Sequence, residues 1–136
     1  MEEAKKIASW SKDTNTKVGA VVVNDDKIIL ASGYNGFARG VDDSIASRFE
    51  KPAKYMFTEH AERNAIFHGA RLGNSLKGGT MYATMFPCCD CARAIIQAGI
   101  KEVVAPEPDV NHEKWGESFR VSLVMFEEAN VYVKLL

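Results

Sequence analysis

Apolar residues occur in short runs separated by polar turns, and these runs predict the strands of the protein. Residues 18–23 form a β-branched apolar run, which is typical of a buried strand. A polar turn at 24–27 leads into a second run at 28–34, so the pair predicts an antiparallel hairpin. Three later runs predict strands over 80–85, 101–105 and 131–135.

Helical patterns fill the intervals between the later strands. We expect helices over 4–11, 58–70, 87–98 and 114–129. Thr58 is the predicted N-cap of the second helix, with Gly69 or Gly73 as its end. Pro87 and Gly99 delimit the third helix in the same way. Strands separated by helices predict a sheet that continues largely parallel, with helices covering both faces.

The segment from 33 to 58 interrupts this alternation. It is rich in polar and turn-forming residues, and Lys51-Pro52 disfavours regular structure near its end. A loop of this length in a small protein suggests a functional role, so we expect binding residues within it.

Length and charge narrow the class of protein. A chain of 136 residues, 46% of them hydrophobic, has room for one core, which predicts a single domain over 1–136. Seventeen Lys and Arg oppose eighteen Asp and Glu, so no global positive field favours nucleic acid as a partner. No apolar run is long enough to span a membrane, and the first residues do not resemble a signal peptide. We therefore expect a cytoplasmic protein that binds neither nucleic acid nor membrane.

Two short motifs carry the chemistry, namely His60-Ala61-Glu62 and Pro87-Cys88-Cys89-Asp90-Cys91. Each begins a predicted helix, where first-turn side chains can project beyond the helix end. If the two helices start side by side, His60, Cys88 and Cys91 can converge on one ion. One imidazole and two thiolates suit tetrahedral zinc, and the open fourth position for water implies catalysis. Glu62 is then placed to shuttle protons.

Other interpretations of single residues stay open. A C-x-x-C pair alone is also typical of redox sites or half of a structural zinc site. We expect Cys89 to be a small buried core residue, and His68 and His112 to be surface or packing residues. An aromatic and aliphatic stripe predicts core rather than a base-stacking platform; it comprises Phe57, Ile66 and Phe67.

Residues beyond the metal motif extend a family pattern. They lie at 11–13, 16–23, 33–37, 54–57, 64–66 and 86–103. Together with the metal motif, whose spacing is that of zinc nucleobase deaminases, they resemble the deoxycytidylate deaminase family of the cytidine deaminase superfamily. The resemblance covers about residues 9 to 105.

The resemblance implies a fold, an activity and a regulation. The fold is a three-layer α/β/α sandwich around a five-stranded mixed sheet. The activity is zinc-dependent deamination of dCMP to dUMP with release of ammonia, which supplies thymidylate synthesis. The resemblance also implies a homo-oligomer, often a hexamer. With Mg²⁺, dCTP activates such enzymes and dTTP inhibits them.

Site roles carried over from the family fall on matching positions. His60, Cys88 and Cys91 resemble the zinc ligands, and Glu62 resembles the proton shuttle. Asn35 resembles the asparagine that hydrogen-bonds the substrate sugar, although a plain turn residue is the alternative. The same loop is a candidate effector site, through Tyr34, Arg39, Asp42 and Asp43.

The chain departs from the family pattern at two places. Ala38 stands where many members have proline, which predicts a more mobile loop. Residues 54–59 hold no additional His or Cys for a second metal, so we expect one zinc per subunit.

Two competing functions share parts of this pattern. An editing deaminase acting on RNA or single-stranded DNA would use the same metal motif, but it requires a cationic groove with stacking aromatics. A non-catalytic, zinc-stabilised binding domain would need zinc for folding, but it has no use for Glu62 beside an open coordination position.

Overall fold

The computed structural model describes residues 1–136 and contains five α-helices, one short 3₁₀ helix and seven strands. The helices are α1 (Glu2–Ala8), α2 (Lys54–Phe57), α3 (Ala61–Leu72), α4 (Cys89–Gln97) and α5 (Gly116–Glu128), and the 3₁₀ helix is Ala46–Phe49. The strands are β1 (Gly19–Val23), β2 (Ile29–Tyr34), β3 (Gly36–Phe37), β4 (Thr58–Glu59), β5 (Thr80–Ala83), β6 (Glu102–Ala105) and β7 (Tyr132–Leu135). None of the helices has the length and apolar character that a bilayer crossing requires.

Five of the strands form one mixed sheet in the order β2-β1-β5-β6-β7. The predicted hairpin is confirmed, because β1 and β2 pair antiparallel with Ala20 opposite Gly33. β1 also runs antiparallel to β5, whereas β5, β6 and β7 are mutually parallel. The predicted parallel continuation therefore holds for the half of the sheet whose strands are connected by helices.

Helices pack on both faces of this sheet, and the two layers are unequal. Alternation along β1 sends Val22 into a large core cluster with residues of α3, α4 and α5, including Ala65, Ile95 and Phe126. The neighbouring Val21 points to the opposite face and packs against α1. The three-layer α/β/α sandwich is confirmed, with one layer formed by the seven-residue α1.

The predicted helix boundaries were partly wrong at the second helix. Thr58 does not cap α3, because its backbone is extended and it pairs with Phe37 between β4 and β3. His60 occupies the N-cap instead, also with extended backbone. The helix continues past Gly69 and ends at Gly73, whose φ of 75° is left-handed.

The segment from 33 to 58 holds more regular structure than its polar composition predicted. It contains β3, the 3₁₀ helix and α2, and its end pairs back on its beginning through β3 and β4. Aromatic contacts bring the 3₁₀ helix and α2 together, since Phe37 stacks on Phe49 with ring centroids 4.6 Å apart and lies 5.4 Å from Phe57. Sequence reasoning missed this order because each of these contacts joins residues distant along the chain.

One glycine sets how closely α3 lies on the sheet. A Cβ atom at Gly33 of β2 would lie 2.6 Å from the carbonyl oxygen of Ala61 and would also collide with the backbone nitrogen of Ala65. Only glycine therefore permits this approach. Because Ala61 follows His60 directly, the same contact fixes the height of His60 above the sheet.

Candidate active site

The N-termini of α3 and α4 lie side by side at one end of the sheet. His60 is the N-cap of α3, Cys88 is the N-cap of α4, and Cys91 lies in the first turn of α4. Neither N-cap side chain caps its own helix, so the imidazole and the thiol are free to face each other. Pro87 precedes the N-cap of α4 and is fully buried, so the helix begins two residues later than predicted.

The predicted zinc ligands converge. The Sγ atoms of Cys88 and Cys91 each lie 3.4 Å from Nδ1 of His60, and one ligand atom from each residue lies within 4.8 Å of the others. A tetrahedral zinc ion with ordinary Zn–S and Zn–N bonds separates such atoms by about 3.6 Å. The donor set and its spacing therefore fit zinc without rearrangement.

The pKa values of the two thiols also favour a cation bound between Cys88 and Cys91. Hydrogen bonds from Cys91 and His60 lower the pKa of Cys88 to about 4. The neighbouring Cys88 thiolate, burial and the Glu62 carboxylate all raise the pKa of Cys91. A divalent ion between the sulfurs would relieve this repulsion and let both thiols ionise.

Glu62 lies in the first turn of α3, two residues after His60. Its side chain is only 4% exposed and borders the cavity beside His60 and Cys88. Burial raises the pKa of the Glu62 carboxyl above its ordinary value. A carboxyl group in this position favours proton transfer near neutral pH more than an exposed one does.

The cluster and Glu62 open into a cavity of about 360 Å³. One of its walls is aromatic and joins Phe86 to Phe119 and Trp115, with ring centroids of Phe86 and Phe119 5.8 Å apart. The Trp115 ring stands edge-on to the His60 imidazole at 6.2 Å. A concave site that combines such an apolar wall with convergent polar groups is typical of small-molecule binding.

Asn35 also lines this cavity, and most of its amide is already engaged. Its Oδ1 accepts a hydrogen bond from the backbone N–H of Val18 at 2.8 Å, and its Nδ2 donates to the carbonyl of Thr16 at 2.9 Å. The Asn35 side chain therefore holds the backbone of Thr16 and Val18, which border the cavity, in place. One N–H of Nδ2 is left for a ligand.

A buried ion pair that sequence reasoning missed lies in the same wall. Nζ of Lys54 lies 3.1 Å from Oδ2 of Asp13, and both side chains are about nine-tenths buried. The other oxygen of Asp13 accepts hydrogen bonds from the backbone N–H groups of Asn15 and Thr16. Burial opposes ionisation of Asp13, but these N–H groups and Lys54 together hold its pKa below the ordinary value. Both residues stood in the family-like segments, yet nothing local in the sequence indicated that they pair.

The predicted effector residues do not lie together. Tyr34 and Arg39 border a second cavity of about 290 Å³, which also contacts Trp10, Asn64 and His68. Asp42 instead closes its own turn with Ser44. Asp43 pairs with Lys12 at 2.9 Å, so both carboxylates lie outside the residues that line this cavity.

Burial corrects two minor expectations and confirms a third. Cys89 is partly exposed rather than buried. Phe67 is 48% exposed and does not belong to the core stripe. As expected, His112 is a surface residue and His68 packs against the backbone of Ser32. His112 also borders the active-site cavity. Trp115 and Lys114 were not singled out from the sequence, since no motif accompanies them.

Comparison with known proteins identifies the protein family to which this chain belongs. Residues 1–107 match the cytidine and deoxycytidylate deaminase zinc-binding region. The chain belongs to this family. It is 43% identical over 98% of its length to an uncharacterized deaminase of Aliivibrio fischeri, 88% of which it covers.

Other relatives carry more specific names. The human deoxycytidylate deaminase is 42% identical over 71% of this chain, and the aligned region spans 56% of the human protein. A crystal structure of dCMP deaminase from the cyanophage S-TIM5 in complex with dCMP and dUMP superposes with a TM-score of 0.78 and 28% identity, covering 99% of this chain and 92% of the phage chain. The chain is thus a deaminase, and His60, Glu62, Cys88 and Cys91 all lie within the matched zinc-binding region.

Proposed function

We propose that this deaminase converts dCMP and water to dUMP and ammonia, with one zinc ion per subunit. The observation that carries the proposal is the buried carboxyl of Glu62 beside the His60–Cys88–Cys91 cluster, facing a cavity of mononucleotide size. The names of the human and phage relatives support cytosine nucleotides as the substrate class.

Each residue of the site has a defined task in this reaction. His60, Cys88 and Cys91 would hold the zinc ion, which when bound supplies Lewis-acid activation of water. Glu62 takes a proton from the attacking water, delivers it to ring nitrogen N3 and then passes a proton to the departing amino nitrogen. Its burial keeps these transfers away from bulk solvent.

Recognition of the base and sugar uses the surrounding walls. The remaining N–H of Asn35 Nδ2 is available for a sugar oxygen, as the family resemblance implies. Trp115 and Phe86 offer aromatic surface to the base while excluding water from it. The hydrogen bonds that Asn35 already makes fix its orientation before substrate binds.

Regulation forms the second part of the proposal. dCTP with Mg²⁺ would activate the enzyme and dTTP would inhibit it, in an oligomer that we propose to be a homo-hexamer. The cavity beside Tyr34 and Arg39 supports an effector site, because it borders α3, the helix that begins at His60. For Asp42 and Asp43 the proposal rests on the family resemblance alone.

We also propose the domain organisation and the cellular location of the protein. A single domain over residues 1–136 is supported by a core cluster whose members run from Val18 to Val131. A cytoplasmic location is supported by the composition of the chain and by relatives that act on nucleotides.

A coupled ammonia-release assay with dCMP, CMP, deoxycytidine, dCTP and a cytosine oligonucleotide tests the activity. We expect turnover of dCMP, and Glu62→Gln to lower kcat by about 10²–10⁴-fold while zinc content stays at one ion per chain. Glu128→Gln, which removes an exposed carboxylate at the end of α5, is the matched control. Faster reaction of the oligonucleotide would favour an editing enzyme, and zinc-dependent folding without any ammonia release would favour a binding domain.

A further inference from the structure

The mouth of the active-site cavity carries positive charge that the proposed chemistry does not use. Two lysines and a tyrosine meet there, and we call Lys51, Tyr55 and Lys114 the cationic mouth. Nζ of Lys114 lies 3.3 Å from the centroid of the Tyr55 ring. The ammonium groups of Lys114 and Lys51 both lower the pKa of the Tyr55 phenol.

These two lysines are unmatched by acidic groups. Neither Lys51 nor Lys114 takes part in any of the seven ion pairs of the molecule. The third lysine of the cavity, Lys54, differs because Asp13 neutralises it. Because neither ammonium group is neutralised by an acidic partner, an anion bound at the cationic mouth is attracted by both.

The backbone that presents Lys114 is fixed rather than loose. Nδ1 of His112 accepts hydrogen bonds from the backbone N–H groups of Lys114 and Trp115, at 3.0 and 3.1 Å. Gly116 donates its N–H to the carbonyl of His112 at 2.9 Å. A pinned turn lowers the entropy lost when Lys114 orders against a ligand.

The cationic mouth lies within nucleotide reach of the metal cluster. Trp115 stands between them, with its ring centroid 6.2 Å from that of His60 and 5.0 Å from Nζ of Lys114. A nucleotide whose pyrimidine base is seated at the cluster is therefore long enough for its 5′-phosphate to reach the lysines. A phosphate group there meets two ammonium donors and a phenol.

We infer that Lys51, Tyr55 and Lys114 bind the 5′-phosphate of the substrate and thereby make the enzyme selective for the nucleotide over the nucleoside. This inference rests on the proposed deamination of dCMP and names residues for its selectivity. Lys114 lies beyond residues 1–107, the part that matches the family. The zinc-binding region that defines the family therefore does not include this lysine.

The first experiment compares kcat/KM for dCMP and deoxycytidine in the unaltered enzyme, Lys114→Met and Lys51→Met/Lys114→Met. Charge-assisted hydrogen bonds are about twice as strong as neutral ones, but these lysines are exposed. We therefore expect the dCMP-to-deoxycytidine ratio to fall about tenfold in Lys114→Met and further in the double variant, while Lys114→Arg retains most of it. Lys6→Met, which removes an exposed, unpaired lysine from α1, should leave the ratio unchanged.

The second experiment measures binding without turnover. Calorimetry gives Kd for dUMP and deoxyuridine, and inorganic phosphate serves as a competitor. We expect the unaltered protein to prefer dUMP and the double variant to lose that preference. Equal Kd values in the unaltered protein, or equal losses for both ligands in the variants, would overturn the inference even if deamination is observed.

The two proposals fail separately. If no cytosine compound is deaminated but dUMP still binds through the two lysines, the proposed function is wrong and the phosphate site stands. If dCMP and deoxycytidine react equally fast and Lys114→Met changes neither, deamination stands and the phosphate site is wrong.

Discussion

The two ends of the active-site cavity are built on different principles. At the metal end Cys91 is fully buried and Glu62 is 4% exposed, and their positions follow from the starts of two packed helices. At the mouth Tyr55 is 44% exposed and meets Lys114 from a distant part of the chain. Burial makes interactions at the metal end strong, whereas water and salt weaken those at the mouth. We therefore assign the chemistry to the first end and the choice of substrate to the second.

Removing a ligand at the metal end should have the largest effect. Cys88→Ser or Cys91→Ser takes away one of three zinc donors, so we expect zinc content to drop and kcat to fall about 10³-fold or more. Metal analysis and the ammonia assay on the same preparations measure both. Cys89→Ser is the matched control and should keep zinc and activity, since its thiol lies outside the cluster. The reverse pattern would refute the ligand assignment.

A substitution that displaces α3 from the sheet should have the second-largest effect on the metal end. Gly33→Ala places a methyl group against the backbone of Ala61 and Ala65, and neither backbone segment can yield cheaply. We expect a loss of about 3 kcal/mol or more in unfolding free energy, measured by urea denaturation, with weaker zinc retention. At Gly36 the nearest atom to an added Cβ is 3.8 Å away, so Gly36→Ala should cost far less. Equal costs would contradict the close approach of α3.

The ion pair between the two ends should contribute an intermediate effect. Asp13→Asn leaves the ammonium of Lys54 buried without a partner, so we expect a loss of roughly 2–4 kcal/mol at pH 7. Because the folded pKa of Asp13 lies below 3.8, its stabilisation is present above about pH 4 and disappears as the pH falls through the folded pKa. The gap between variant and unaltered protein should therefore shrink in acid.

Urea denaturation at several pH values measures this gap. Asp26→Asn, at an exposed aspartate outside every ion pair, is the control and should change stability little at any pH. A gap of constant size between pH 7 and pH 3 would contradict the ion-pair explanation.

Raising the salt concentration should have the smallest effect, and this effect should be confined to the mouth of the cavity. The Debye length falls from about 10 Å at 0.1 M salt to about 3 Å at 1 M, so the exposed lysines of the mouth are screened. We expect kcat/KM for dCMP to fall roughly threefold over this range, while kcat/KM for deoxycytidine stays nearly constant. Steady-state rates on the two substrates measure the difference, and an equal decline for both would place the salt effect elsewhere.

Much of the metal end could be predicted because its signals are local. The apolar run at 18–23 and the polar turn after it specify the hairpin within a single stretch of chain. His60, Cys88 and Cys91 stand at helix starts that the surrounding sequence indicates, and three donors of those types suit one ion. Side-chain chemistry and local backbone preference were sufficient there.

The cationic mouth, in contrast, could not be predicted from the sequence and became apparent only in the tertiary structure. Lys51, Tyr55 and Lys114 carry no common motif, and Lys114 reaches Tyr55 only because the segment before α5 folds across the cavity. The pairing of Asp13 with Lys54 and of β3 with β4 was likewise invisible in the sequence. Contacts between residues far apart in the chain are selected by the packing of the whole core, which no local pattern records. By itself the sequence determined which atoms could hold zinc and move protons, whereas the tertiary structure decided which charges stand at the entrance.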